Sequence, residues 1–227
     1  MEREHPRWAP MWVGLQPGSL FDAMKPCPLL EAYIKEGKVP AGKALVPGCG
    51  RGYDVIALAA ETREALGIDI VEAAITAAKE FKDEYASKLD SEAKLILNAN
   101  ANFQVASFFN LDDKFDFIYD YTFFCALDPS VRQEWAEKMY SLIKPGGELL
   151  TLIFPMVKDE SYKRGPPFKV TLALYKDLLV LAGFECLELR ELPPELSHEG
   201  RDGITARTQG LLASSGVGRW KKLNTSM

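Results

Sequence analysis

A doubly wound α/β fold, a parallel sheet with helices on both faces, is predicted by three features of this sequence. Strand-like and helix-like segments alternate along it, the pattern of parallel strands joined by crossover helices. A glycine cluster, Gly48-Cys-Gly-Arg-Gly52, stops the first strand and opens a helix. An aspartate, Asp69, stands at the end of the second strand, one helix and one strand beyond Gly48.

The elements follow in order. Lys43 to Pro47 is a short apolar run, and Gly52 to Ala60 reads as the helix after it. Glu64 to Ile70 is the second strand. From Val71, apolar residues at 71, 74, 75, 78 and 85 mark one face of a helix. Phe103 to Ala106 and Lys114 to Asp120 supply strands three and four. Asp128-Pro129 offers an N-cap with proline at the first helical position. The helix it starts puts Val131, Trp135, Met139 and Leu142 on one face. Pro145-Gly146-Gly147 ends that helix, and Glu148 to Phe154 is the fifth strand. Thr171 to Ala182 is a helix closed by Gly183, followed by a strand from Phe184 to Leu189. The stretch from Leu192 to Gly218 is rich in Pro, Gly, Ser and Thr and reads as a long loop. Arg219 to Lys222 reads as a final strand with solvated lysines. Right-handed crossovers then give a three-layer sheet.

Composition bounds the chemistry. Of 227 residues, 47% are hydrophobic and 26% charged, with a net charge of −5, so a disordered chain is excluded. The acidic balance argues against a nucleic-acid partner, which needs clustered Lys and Arg. The longest apolar run, Leu149 to Val157, is far below the roughly 20 residues of a membrane span. The charged segment from Met1 to Pro6 lacks the apolar core of a signal peptide. A cytoplasmic protein without a membrane partner is expected. Cys27, Cys49, Cys125 and Cys186 are far apart with no C-x-x-C pair, and His5 and His198 have no ligand-spaced neighbours, so no metal site is expected. Both histidines read as solvated surface residues, which implies a reaction needing little proton shuttling.

The glycine loop lets a ligand approach the backbone closely at a helix N-terminus. A dinucleotide fingerprint would need glycine at position 53, where this sequence has Tyr53, and this disfavours a nicotinamide oxidoreductase. Asp69, at a strand tip, can accept both hydroxyls of a ribose. Its plainer role is to cap the following helix, and the two are compatible. Together they favour an adenosine-type ligand.

The sequence resembles class I S-adenosylmethionine methyltransferases, whose sheet is Rossmann-like, and more narrowly the thiopurine methyltransferase superfamily. Within that group it looks most like the thiol, halide and thiocyanate methyltransferases of plants and fungi. The resemblance is carried by Lys38 to Val55, Gly67-Ile-Asp-Ile70, Phe115 to Pro129, Leu142 to Pro155, Gly165 to Val170 and Gly218 to Lys222. It implies one methyltransferase domain over 1–227, with a lid and helix in 1–40 and a catalytic core in 41–227. The implied partners are S-adenosyl-L-methionine, with S-adenosyl-L-homocysteine as its product, and a small-molecule or anion substrate, on a monomer or weak dimer.

The resemblance also implies a site. Gly48 and Gly50 would meet the methionine moiety, Asp69 the ribose, and Ser107 and Phe108 the adenine, although the family commonly has an acidic residue at 107. Tyr121 would line the methyl-transfer channel. Trp8 and Trp12, with Phe21-Asp22 in place of a Trp-Asp, would form the lid. Arg132 would stand near the substrate, and Phe154 and Phe168 would line the acceptor pocket, where related plant enzymes often carry tyrosines. Plainer roles exist for each: core aromatics for Tyr121, Phe123 and Phe124, outer packing for the tryptophans, a surface role for Arg132. An aromatic lid nevertheless suits a cationic sulfonium, and the arm has few other apolar anchors to fix it in place. With no histidine dyad, transfer to a small soft nucleophile (thiol, bisulfide, thiocyanate or halide) is the expected reaction. A small-molecule O- or N-methyltransferase and a non-catalytic adenosine-binding protein are the alternatives.

Overall fold

The central strands are buried on both faces, and their side chains alternate between two apolar layers that enclose one seven-stranded sheet. The structure is a computed structural model that describes residues 8–157, 162, 165–196 and 213–223. Its elements are α1 (Trp8–Trp12), α2 (Pro28–Lys35), β1 (Gly42–Pro47), α3 (Tyr53–Leu58), β2 (Arg63–Asp69), α4 (Glu72–Ala86), α5 (Ser91–Asn100), β3 (Ala101–Val105), β4 (Phe115–Tyr121), α6 (Arg132–Leu142), β5 (Ile143–Val157), α7 (Leu172–Ala182), β6 (Phe184–Glu191) and β7 (Ala213–Lys222). The strand order is β3-β2-β1-β4-β5-β7-β6. The first five strands pair in parallel, and β7 runs antiparallel to both β5 and β6.

Alternate residues of each strand face opposite layers. Phe117, Tyr119, Leu150, Leu152 and Phe154 pack toward α2 and α3, whereas Ile118, Leu149 and Ile153 pack toward α6 and α7. Trp135, Met139 and Leu142 are fully buried on α6, as its periodicity predicts. Losing a ring the size of Trp135 from such a layer costs about 3–5 kcal/mol.

Six local readings need correction. Asp128 caps a short 3-10 turn, Pro129–Val131, with its carboxylate accepting the Ser130 N–H at 2.9 Å, and α6 starts only at Arg132. On α4 the buried residue is Ala86, whereas Tyr85 is exposed. A helix not anticipated, α5, is capped by Asp90, which accepts the Ala93 N–H at 2.8 Å. The Pro-Gly-Gly run sits inside β5, where the pairing with β4 shifts register, because strand geometry resumes as soon as the bulge is passed.

The fifth is the C-terminal loop. Strand β7 begins at Ala213, so part of the glycine- and serine-rich stretch is strand. A Cβ at Gly218 would stand 2.6 Å from the Trp220 ring, so the missing side chain is what makes room for a fully buried indole. That indole donates to Thr151 Oγ1 at 3.1 Å across the sheet. Lys222 is not simply solvated either: it donates to the Tyr140 carbonyl at 2.7 Å. His5, His198 and the rest of residues 197–212 lie outside the described residues. No helix among the described residues is long and apolar enough to cross a membrane.

Candidate active site

Strand order reverses between β1 and β4, and in an open α/β sheet the crevice at the carboxyl ends of such strands is where ligands bind. A cavity of about 290 Å³ lies there. Its walls come from the N-terminal arm, the loops after β1, β2 and β4, the end of β5, and Tyr162 with Pro166 and Pro167.

The wall under β1 and β2 is made of backbone and paired charge. Gly48 has φ +59°, and a Cβ there would stand 2.7 Å from the Phe123 ring, so the turn is open to glycine alone. Asp69 is nearly buried and lines the cavity. One carboxylate oxygen accepts the Gly50 N–H at 3.2 Å and the other the Val71 N–H at 3.0 Å, which locks the glycine loop to the tip of β2. Asp54, on the first turn of α3, accepts the Cys27 N–H at 2.7 Å and so ties the start of α2 to the same region.

The arm is anchored by a network the sequence did not reveal. Arg51 Nε donates to Asp22 Oδ2 at 2.6 Å, the Tyr53 hydroxyl donates to Asp22 Oδ1 at 2.8 Å, and Arg51 also donates to the Leu15 carbonyl at 3.1 Å. Burial, with Asp22 beside it, pushes the Tyr53 hydroxyl well up. Phe21 meets Trp8 and Trp12 edge-on, with centroids 5.7 and 5.5 Å away. The expectation that the arm has little to fix it is therefore corrected for residues 8–24.

The wall under β4 and β5 is aromatic. Thr122 adopts φ +60°, a costly conformation for a β-branched residue, and it turns the chain directly after Tyr121. Asp120, fully buried beneath this turn, accepts the Trp135 indole N–H at 3.0 Å and the Phe124 N–H at 3.2 Å. Burial raises its carboxyl to about 7 against the pull of those donors. The Cys125 thiol donates to the Thr122 carbonyl at 3.4 Å. Burial pushes the Cys49 and Cys125 thiols well up, reinforced by Asp69 and Asp120 respectively, so neither lining cysteine is a thiolate at neutral pH. No cluster of His, Cys, Asp and Glu suited to a metal occurs among the described residues.

Nine of the residues singled out in the sequence line this one cavity: Trp8, Trp12, Phe21, Gly48, Gly50, Asp69, Phe108, Tyr121 and Phe154. Three do not. Ser107 only precedes the turn Phe108–Asn110, and Ala106 and Phe108 line the cavity on either side of it. Arg132 stacks on the Phe124 ring at 5.0 Å and donates to the Lys169 carbonyl at 3.2 Å. It braces the aromatic wall through the Phe124 ring, which shares its apolar layer with Phe123 and Cys125. Phe168 gives its backbone N–H to the Cys125 carbonyl at 2.7 Å, while Pro166 and Pro167 take the lining positions. Asp22, named with Phe21 in the lid, lines the cavity too, whereas the sequence reading missed Arg51, Tyr53 and Tyr162, whose hydroxyl donates to the Pro167 carbonyl at 3.2 Å. The one available signal was a charged residue, Arg51, set between two loop glycines.

Comparison with known proteins agrees with this architecture. A solved chain from work on the conversion of a disulfide bond into a thioacetal group during echinomycin biosynthesis superposes with a TM-score of 0.71 at 18% identity, covering 97% of this chain and 92% of that one. Magnesium protoporphyrin IX methyltransferase from Synechocystis PCC 6803, solved with bound SAM, gives a TM-score of 0.60 at 15% identity, covering 86% and 76%. These likenesses establish a class I methyltransferase fold. In sequence, a probable thiol methyltransferase 2 of Arabidopsis thaliana is 38% identical over 222 residues, covering 96% of this chain and 85% of that protein. Thiocyanate methyltransferase 1 of Brassica oleracea is 35% identical over 219 residues, covering 96% and 85%. The model of the thiopurine S-methyltransferase family matches residues 3–211, and the chain belongs to that family.

Proposed function

We propose that this protein is an S-adenosylmethionine-dependent methyltransferase acting on a small soft nucleophile: a thiol, bisulfide, thiocyanate or halide ion. The observation that carries the reading is the asymmetry of the cavity. Its β1–β2 side offers a glycine turn and Asp69, and its β4–β5 side offers Tyr121, Phe123, Cys125, Phe154, Tyr162, Pro166 and Pro167, with no charged residue among the described ones. The relatives named for thiols and thiocyanate support the acceptor class.

The residues present fit the cofactor. Side chains absent at Gly48 and Gly50 leave a cradle that a Cβ would fill. A carboxylate has about four acceptor positions, so Asp69 can take ribose hydroxyls beside the two amides it already accepts. Bound there, S-adenosylmethionine supplies an activated methyl on a sulfonium, and in-line transfer to an anion turns two opposite charges into neutral products. Trp8, Trp12 and Phe21 line the same cavity, and the faces of aromatic rings attract a cation. The aromatic wall strips water from the acceptor and aligns it. A halide or thiocyanate needs no base, and a thiol with a pKa of about 8.5 needs little help.

The reading extends to a monomer or weak dimer in the cytoplasm, working as one unit over 1–227 with 1–40 as lid and helix. Incubation with S-adenosylmethionine and a panel of iodide, bromide, chloride, thiocyanate, bisulfide and small thiols, with headspace detection of methylated products, tests it. Iodide or bisulfide should lead chloride, and the iodide rate should be flat from about pH 6 to 9 while a thiol gains rate toward its pKa. Turnover of catechols or amines with no methyl iodide or methyl thioether would show a different acceptor on the same scaffold.

A further inference from the structure

The glycine loop carries a charge that methyl transfer does not require. Arg51 is mostly withdrawn from water, and its partner Asp22 is 5% exposed. Asp22 accepts three donors: Arg51 Nε, the Tyr53 hydroxyl and the Met24 N–H at 2.9 Å. The Arg51 guanidinium also lies 5.7 Å from the Trp12 ring, and Trp12 in turn stands 3.4 Å from the Cβ position of Gly50. Five of these residues, Trp12, Asp22, Gly50, Arg51 and Tyr53, line the cavity, and so does Phe21 beside them.

A buried ion pair is poor at adding stability, because desolvation offsets its attraction, but it accepts few alternative geometries. Here it joins two segments that are far apart in sequence, the arm and the glycine loop. We propose that Arg51 is a positioning residue: through Asp22 and the Leu15 carbonyl it latches residues 8–24 onto the glycine loop, and so holds Trp12 and Phe21 over the cofactor end of the cavity. Tyr53 is the second half of the latch, fixing the other Asp22 oxygen. The ion pair, the Tyr53 bond and the packing of Trp12 against Val71 and Ala74 seat the arm together, so parting the pair loosens the roof from the loop that meets the ligand. The effect on ligand residence rests on the cofactor reading above, whereas the latch itself does not.

Three variants test this: Arg51→Met, which removes the charge at similar length; Arg51→Lys, which keeps the charge; and Asp22→Asn, which breaks the pair from the other side. Hydrogen exchange is measured on the ligand-free proteins, with strand β4 as the control for an intact core. Residues 8–24 should exchange at least about tenfold faster in Arg51→Met and Asp22→Asn, with Arg51→Lys in between. Calorimetric affinity for S-adenosylhomocysteine should fall about tenfold or more in Arg51→Met and recover partly in Arg51→Lys. Weakened affinity with unchanged arm exchange would overturn the proposal, since Arg51 would then touch the ligand itself. Unchanged exchange in both charge-removing variants also overturns it, even if wild type binds S-adenosylhomocysteine normally. Faster arm exchange in a protein that never binds S-adenosylhomocysteine would uphold the latch and refute the cofactor reading.

Discussion

The two walls of the cavity are built by different physical means. Under β1 and β2, position is set by backbone: a glycine at φ +59°, two amides held by Asp69, and a buried ion pair between Arg51 and Asp22. Under β4 and β5, position is set by rings packed around one buried carboxylate, Asp120, which holds Trp135 and Phe124 beneath a strained Thr122. The first wall offers hydrogen bonds to a ligand with many polar atoms. The second offers shape and dryness to one with few. That division suits a reaction whose donor is large and fixed and whose acceptor is small and varied.

Removing Asp69 is the strongest way to break the first wall. Asp69→Ala should weaken S-adenosylhomocysteine binding by about 1.5–3 kcal/mol, since charge-assisted hydrogen bonds are worth about that much. Calorimetry checks this, and equal affinity for wild type and variant would remove Asp69 from the ribose role.

The second wall is tested through Asp120. Its folded value of about 7 lies above an unfolded carboxyl near 3.9, so between those pH values the folded state binds more protons than the unfolded one. The stability tied to this group is complete below about pH 4 and is lost as pH rises through about 7. Asp120→Asn has no such titration, so wild type should lose ground to the variant in thermal denaturation between about pH 4 and 7. A constant gap in Tm across that range would show that Asp120 does not titrate there.

Phe154→Tyr sharpens the contrast with the smallest expected effect. A hydroxyl added at the acceptor end should reorder rates among iodide, thiocyanate and bisulfide while cofactor affinity shifts by less than it does in Asp69→Ala. A larger loss of S-adenosylhomocysteine affinity than of acceptor selectivity would move Phe154 to the cofactor side.

Much of this was written locally. Alternating strand and helix periods, the glycine cluster and Asp69 at a strand tip are short-range patterns, each with a backbone reason that holds in any context, and they locate the crevice and its wall under β1 and β2. Resemblance to a family added Trp8, Trp12, Phe108, Tyr121 and Phe154, which the fold then gathers at one cavity. What folding alone decided depends on distant partners. Arg51 and Asp22 are ordinary charges until the arm folds back over the loop. Arg132 is drawn away from the cavity by the Phe124 ring and the Lys169 carbonyl. Gly218 reads as loop until the Trp220 indole needs its space. Sequence patterns record what a residue does to its own backbone and near neighbours, whereas burial, ion pairing and ring packing belong to pairs that only the tertiary structure brings together.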